Sequence, residues 1–427
     1  MSTVGVIVEY NPLHYGHVYH FRQSLNLTGA DTCVAVMSGH FLQRGEPALA
    51  GKWARAEMAL RMGADLVIEL PVAYSSQPAE WFAFGACALL DATGVVDSLC
   101  FGSESGELGW LLPLARVLAD EPEAFRAQVK AGMAKGMNYP AAYSAAAASL
   151  ARDLGGRGAA AFADVAPEAL GQPNNTLGLH YLIALERLGS SIAPYTVARR
   201  AAGYHQADVT DAQIASATAI RRLLFEQGDL AAAQAYLPPY TYDVLQREWA
   251  AGRGPQRWSR YTPQLLHQLV SRTADELAEL AEVTEGLQHR LKGALPRLGD
   301  GPLDFERLLA ALKTKRYTRT KLQRMLTRIL LGHSKSALSA HNLREGVSYI
   351  RVLGFTERGR ALLKRMKTTA KLPVVTKVTK ESFPFLDMDI RATSAYALGF
   401  DKPASEDLLR DYYQSPIIIS SERYERS

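Results

Sequence analysis

Two histidines three positions apart, His14 and His17, stand with Gly16 between them just after an apolar run from Val4 to Val8. Asn11-Pro12 breaks the run, and Gly16 lets backbone come close to a ligand where a helix is expected to begin at about His17. Free N–H groups and the positive end of the helix dipole favour an anion at such a start. Two imidazoles add donors that can follow charge developing on phosphoryl oxygens. The plain alternative is a pair of structural or surface histidines, and His20, one turn on, reads as helix surface. A second polar stretch, Ser38 to Pro47, holds Gly39, His40, Gln43, Arg44, Gly45 and Glu46 and is followed by Lys52. It can offer amides and cations to a triphosphate or a polar cup to a small acid, although glycine-bearing turns often do no more than connect.

The elements that must position these groups alternate. Val4 to Val8, Thr32 to Met37, Leu66 to Leu70 and Ser98 to Phe101 read as buried strands, whereas Lys52 to Met62 and Ala79 to Ala92 read as helices. Strands alternating with helices imply a parallel sheet covered on both faces, its ligand crevice lying beyond the carboxyl ends of the strands. Each polar motif of this half follows a strand, including Gly102-Ser103-Glu104-Ser105-Gly106 after the fourth, so four loops are expected to converge on one mouth.

The chain of 427 residues is too long for one ordinary core, and 48% hydrophobic with 21% charged residues describes a soluble protein. No apolar run approaches the roughly eighteen residues that cross a bilayer, and residues 1 to 8 read as a strand instead of a signal peptide; a cytoplasmic protein without membrane contact is expected. Cys33, Cys87 and Cys100 sit unevenly in apolar surroundings and read as buried fillers, with neither a disulfide framework nor a metal site indicated. Charge is unevenly distributed. From Lys313 to Lys380 there are eighteen Lys and Arg against Glu345 and Glu357, on a chain whose net charge is only +5. A block of this kind usually meets nucleic acid, the alternative being a solvated basic surface.

The His14-x-Gly16-His17 arrangement resembles the signature of the H-x-G-H nucleotidyltransferase superfamily, which activates ATP for attack at its α-phosphate. VEYNPLHYGH, MSGHFLQRGEPAL, KWARAEMAL, DLVIELP, FGSESG and PNNTLGLHYL, in this order, resemble successive blocks of the bacterial tRNA(Met) cytidine acetate ligase family over about the first 220 residues. The resemblance implies activation of acetate by ATP and Mg²⁺ to acetyl-adenylate. The acetyl group then passes to N4 of the wobble cytidine of elongator tRNA(Met). No obligate protein partner is indicated.

It further implies an ATP pocket of Ile7, Val8, Glu9, Tyr10, Asn11, Pro12, Leu13, His14, Tyr15, Gly16, His17, Val18, Tyr19 and His20, with Gly102, Asn174 or Asn175, and Arg199 or Arg200. Asn174 and Asn175 precede a helical run from Leu177 to Leu188 and can equally cap it. Arg199 and Arg200 end a strand-like segment from Tyr195 to Ala198, where a guanidinium can clamp phosphate or simply face water. Ser216, Thr218 and Arg221 occupy the place where H-x-G-H enzymes carry a hydroxyl-rich helix start. Hydroxyls there would hold the β- and γ-phosphates and Arg221 would stabilise departing pyrophosphate, although a Ser N-cap explains the same letters. His14, His17, Lys52 and Arg221 are the expected catalytic groups. His40 and Glu46 are candidates, by location alone, to assist the second step.

The expected architecture is a Rossmann-like parallel sheet over residues 1 to 225, the nucleotidyltransferase domain, followed by a mainly helical tRNA-binding region over 226 to 427, basic from about 313 to 380. There Leu322, Met325, Leu326, Ile329 and Leu330 make one apolar helix face, leaving Arg316, Arg319, Lys321, Arg324 and Arg328 for an RNA backbone. Tyr317 and Tyr349 are candidates to stack on anticodon bases or to belong to core or rim, and Ser415 to Ser420 reads as a short β-rich run. Two other readings remain open at this point: a nucleotidyltransferase for a small cofactor precursor, which would not need the basic region, and an RNA-binding protein that has lost chemistry.

Overall fold

In the computed structural model, which describes residues 1–156, 167–199, 215–299, 301, 303–379 and 383–420, five mutually parallel strands come first along the chain. They are β1 (Thr3–Val8), β2 (Thr32–Ser38), β3 (Leu66–Leu70), β4 (Ser98–Ser103) and β5 (Ala193–Ala198), arranged β5-β4-β1-β2-β3. The β-branched apolar runs of β1 and β2 suit strands buried on both faces, whereas β5, at the sheet edge, is only partly buried. Successive residues of β2 serve opposite sides: Val34 and Val36 enter one core cluster, Cys33, Ala35 and Met37 the other. Helices α1 (Tyr15–Thr28) and α2 (Lys52–Met62) cover one face, and α3 (Val72–Ser75) with α4 (Ala79–Ala92) follows β3. β1 pairs with β2 on one side and β4 on the other, so the strand order reverses between β1 and β4 and opens the crevice there.

The sheet does not stop near residue 225. β6 (Ile350–Thr356) pairs antiparallel with β3, and β7 (Val374–Val375) and β8 (Ile417–Ile419) pair parallel with β6. The region expected to be a separate helical body therefore completes the sheet of the first, and the β-rich run at the C-terminal end is one of its strands. Tyr349, beside β6, is fully buried with its hydroxyl on Asp389, so it cannot stack on a base. The apolar face expected for the basic helix is present: Leu322, Met325, Leu326, Ile329 and Leu330 are buried in the same core cluster as Val34 and Ile68. All three cysteines are free and buried. Among the described residues no helix is long and apolar enough to cross a membrane.

The two halves are joined by a buried ionic knot. Lys52, the first residue of α2, is 0% exposed, and its Nζ lies 2.8 Å from both carboxylate oxygens of Glu69 on β3 and 3.0 Å from Oδ1 of Asp411. Asp411 also accepts from Thr393 and, at 3.5 Å, from Arg351 on β6. Burial opposes the Lys52 charge, yet Asp411 and Glu69 hold its pKa above the ordinary lysine value. With every donor turned onto protein carboxylates, Lys52 has no face for substrate, and the expectation that it is catalytic is corrected to a structural role. Lys52→Met should destabilise by about 3–5 kcal/mol, because two buried carboxylates lose their shared cation. Denaturant unfolding measures this, and the folded fraction should keep its turnover; loss of turnover at unchanged stability would restore the catalytic role.

Candidate active site

The turn after β1 is set by the histidines themselves. His14 is the N-cap of α1, its Nδ1 accepting from the Gly16 N–H at 3.0 Å, while the His14 N–H donates to Nδ1 of His17 at 3.3 Å. The helix thus begins at Tyr15, two residues earlier than expected, because an imidazole does the work usually done by Ser or Asp. Both Nδ1 atoms act as acceptors, so each neutral ring carries its proton on Nε2 and presents a donor. The ring centroids are 3.9 Å apart, and Tyr10, whose φ of 47° lies in the left-handed region, sets its ring against the edge of His17. Burial first, then Arg199 and Arg221, lower the His14 pKa to about 4. Burial and the neighbouring His14, His20 and Arg199 lower that of His17 well below the ordinary value.

Arg221 reaches this turn from the helix Ala217–Gln227, its Nη1 2.8 Å from the Asn11 carbonyl and its Nη2 3.2 Å from Oε1 of Glu46. Ser216 uses its hydroxyl to cap that helix, accepting from the Ala219 N–H at 3.2 Å, and Thr218 is exposed. Asn11 turns its side chain inward, Oδ1 accepting from the Leu49 N–H at 2.7 Å, which ties the first loop to the second. Behind both loops Arg55 of α2 is fully buried and donates to the carbonyls of Glu9, Ser38, Gly39 and Ala50, pinning the ends of β1 and β2 together. Sequence reasoning passed over Arg55; the signal was a cation set between alanines, Ala54 and Ala56, in KWARAEMAL.

The other wall lies beyond β4. A Cβ added to Gly102 would stand 3.3 Å from Cγ of Arg199 and 3.8 Å from Cδ2 of His20, so these three border one shelf. His20 is no ordinary surface residue: its Nε2 is buried without a partner, and burial with Arg199 lowers its pKa to about 4. Asn174 and Asn175 do not precede a helix but lie in the first turn of Pro173–Leu188. Their N–H groups donate to the Glu104 carboxylate at 3.1 and 2.7 Å, Asn174 adds its Nδ2 at 2.6 Å, and Arg199 Nη1 donates to Asn174 Oδ1 at 2.8 Å. Asn175 turns away, bonding Ser105 and the Ala169 carbonyl. Of the two asparagines only Asn174 is linked to Arg199, and Glu104, missed from sequence, orients it. Arg200 lies outside the described residues.

The basic helix Arg319–Leu331 packs on the mouth, but its cations are not equivalent. Arg328 is 0% exposed and donates to the carbonyls of Val72, Ala73 and Ser76, closing the end of α3; it is withdrawn from the expected RNA surface. Arg324 pairs with Glu282 at 3.2 Å and is 11% exposed, and Lys321 shares the same carboxylate. Arg319 and Arg316 remain open at 53% and 60% exposure despite pairing with Glu306 and Glu285. Arg316 also borders an open groove with Phe125, Arg126, Lys130, Met133 and Tyr139. His40 stacks on Tyr396 at 4.2 Å and is buried, away from solvent.

Two outcomes follow from neutral imidazoles beside arginines. His14→Ala and His17→Ala should each lower attack on a nucleotide α-phosphate by about 10²–10³-fold, read by pyrophosphate exchange. His14 and His20, depressed to about 4 from the ordinary 6.5, give stability that is complete above pH 6.5 and is lost as pH falls towards 4. Thermal unfolding against pH should show that loss, reduced in His14→Gln.

Comparison with known proteins agrees with this geometry. The family model described as HIGH Nucleotidyl Transferase matches residues 1–411. The chain is 40% identical over 422 residues to the tRNA(Met) cytidine acetate ligase of Bacillus licheniformis, covering 98% of this chain and 97% of that protein. It is 38% identical over 423 residues to the enzyme of that name from Caldanaerobacter subterraneus, covering 98% and 100%. Thermotoga maritima TmcAL bound with alpha-thio ATP superposes with a TM-score of 0.87 at 34% identity, covering 99% of this chain and 100% of that one. A H-x-G-H turn at a β1/β4 crevice and matches along nearly the whole length place the chain in the HIGH nucleotidyl transferase family, among the tRNA(Met) cytidine acetate ligases.

Proposed function

We propose that this protein is an ATP-dependent tRNA(Met) cytidine acetate ligase, activating acetate as acetyl-adenylate and acetylating N4 of the wobble cytidine of the elongator tRNA in the cytoplasm. The observation that carries it is the convergence of His14, His17, Arg199 and Arg221 on one crevice whose rim is the start of a basic helix. Acetate is already ionised at neutral pH, so its attack on the α-phosphorus asks for positioning and charge stabilisation and no base. The Nε2–H donors of His14 and His17 follow charge onto the phosphoryl oxygens, and Arg221 and Arg199 hold the departing pyrophosphate. Asn174, oriented by Glu104, and Gly102 serve the nucleoside end. Mg²⁺ is taken with the nucleotide, as part of the substrate Mg-ATP, whose phosphate oxygens and waters supply most of its ligands.

The wobble cytidine is expected to arrive over Arg319 and Arg316, whose exposed guanidiniums replace counterions on the RNA backbone. Purified protein with ATP, Mg²⁺, labelled acetate and unmodified tRNA(Met) should yield N4-acetylcytidine only when all are present; pyrophosphate exchange driven by a different acid, with no product on RNA, would replace this reading by a small-molecule nucleotidyltransferase. Arg316→Glu with Arg319→Glu should weaken tRNA binding and lower the slope of log K against log salt by about 1 per lost contact, leaving acetate-dependent pyrophosphate exchange intact. Arg328→Met should lower stability and leave that slope unchanged.

A further inference from the structure

The second step needs a proton acceptor that the first does not. When N4 of the cytidine attacks the acetyl carbonyl carbon, an N–C bond forms, the C–O bond to the adenylate phosphate breaks, AMP leaves as its anion, and one N4 proton must go to a base. Most titratable groups around the mouth are committed elsewhere. His14 and His17 have Nδ1 on backbone N–H groups and protons on Nε2, so they donate. Lys52 lies in the buried knot, His40 is enclosed under Tyr396, and the Nε2 of His20 is closed to solvent. Glu9 is turned onto the Gln43 N–H and the Ser38 hydroxyl, and Glu104 onto the helix start at Asn174.

Glu46 is placed differently. Its loop is rigid, with the Leu42 N–H donating to the Glu46 carbonyl at 2.9 Å and the Gly45 N–H to the Leu42 carbonyl at 2.8 Å. The loop is gripped from the RNA side: the Gly45 carbonyl accepts from Trp258 Nε1 at 3.0 Å and from the Thr327 hydroxyl at 3.1 Å. Gly45 has φ of 70°, and a Cβ there would stand 2.3 Å from the Arg324 backbone nitrogen. The Glu46 carboxylate, 25% exposed, meets Arg221 at 3.2 Å, and its charge is felt by Glu9 below and by Arg319 at the start of the basic helix. It therefore stands between the nucleotide's cation and the edge from which RNA arrives.

Resting on the ligase reading above, we propose that Glu46 is the general base of acetyl transfer. In the free enzyme Arg221 holds it; after pyrophosphate has left, the phosphate of the bound acetyl-adenylate competes for Arg221 and frees the carboxylate, which accepts the N4 proton as the amide forms and then gives it to water. The test separates the steps. Acetyl-adenylate formation is followed by pyrophosphate exchange and by hydroxylamine trapping, and transfer by N4-acetylcytidine formed in a single turnover from preformed adenylate. Glu46→Gln should keep adenylate formation within about threefold and lower transfer by about 10²–10⁴-fold, with Glu46→Asp between the two. Transfer within tenfold of the wild type in Glu46→Gln, or adenylate formation falling in step with transfer, would overturn the assignment, the second result meaning that Glu46 only orients Arg221. Absence of acetyl-adenylate from the wild-type protein would instead remove the ligase reading itself, and the base with it.

Discussion

Four buried charges hold the molecule in register. Lys52 and Arg351 meet Glu69 and Asp411 where α2, β3, β6 and the C-terminal segment come together. None of these groups gains much by pairing alone, since each gave up hydration to enter; what the pairing imposes is that all four elements must be present at once. An antiparallel β6 is thereby locked against β3, and the helices between residues 217 and 344 are carried over the carboxyl edge of the sheet. The loops after β2 and β3 are in turn clamped from above, by Trp258 and Thr327 on Gly45 and by Arg328 on the end of α3. The loops at the mouth are held in place by contacts from the C-terminal half.

Beside these loops two histidines serve as both cap and ligand-facing donors. A histidine is a poor N-cap by composition, yet here the ring acceptors satisfy helix-start N–H groups and leave the opposite nitrogens pointing outward with protons. Burial and nearby arginines keep the rings neutral, so they donate hydrogen bonds without adding fixed charge. Fixed charge comes from Arg199 and Arg221, each held by a neutral acceptor, Asn174 Oδ1 and the Asn11 carbonyl. Glu104 sits one contact further out, on Asn174, whereas Glu46 pairs directly with Arg221.

The basic block illustrates why a charge count overstates a binding surface. Arg328, Arg351, Arg324 and Lys321 all lie in it, and each is drawn inward to carbonyls or carboxylates supplied by residues distant in sequence. Only Arg316 and Arg319 among the five cations expected to meet RNA stay more than half exposed. A long cation near a helix end or a buried acid satisfies it first, and only the remainder is offered to a partner.

Local patterning determined a good deal. The five parallel strands, α2 and α4 with their bounds, the crevice at the strand ends and the apolar face of the basic helix follow from periodicity and breakers, which act over a few residues. Sequence identity along the blocks from VEYNPLHYGH to PNNTLGLHYL was also enough to point to the family. What only the folded chain decided involves partners far apart in sequence. β6 was missed in VSYIRVLGF because it lies amid basic helices and gains its place by pairing with β3. Lys52 and Arg328 read as functional cations until Asp411 and the α3 carbonyls came to meet them, and Glu104 and Arg55 read as ordinary until they were seen holding Asn174 and the ends of β1 and β2. The fate of a charged side chain depends on which opposite charge or carbonyl the fold brings within about 3 Å, and no local pattern carries that information.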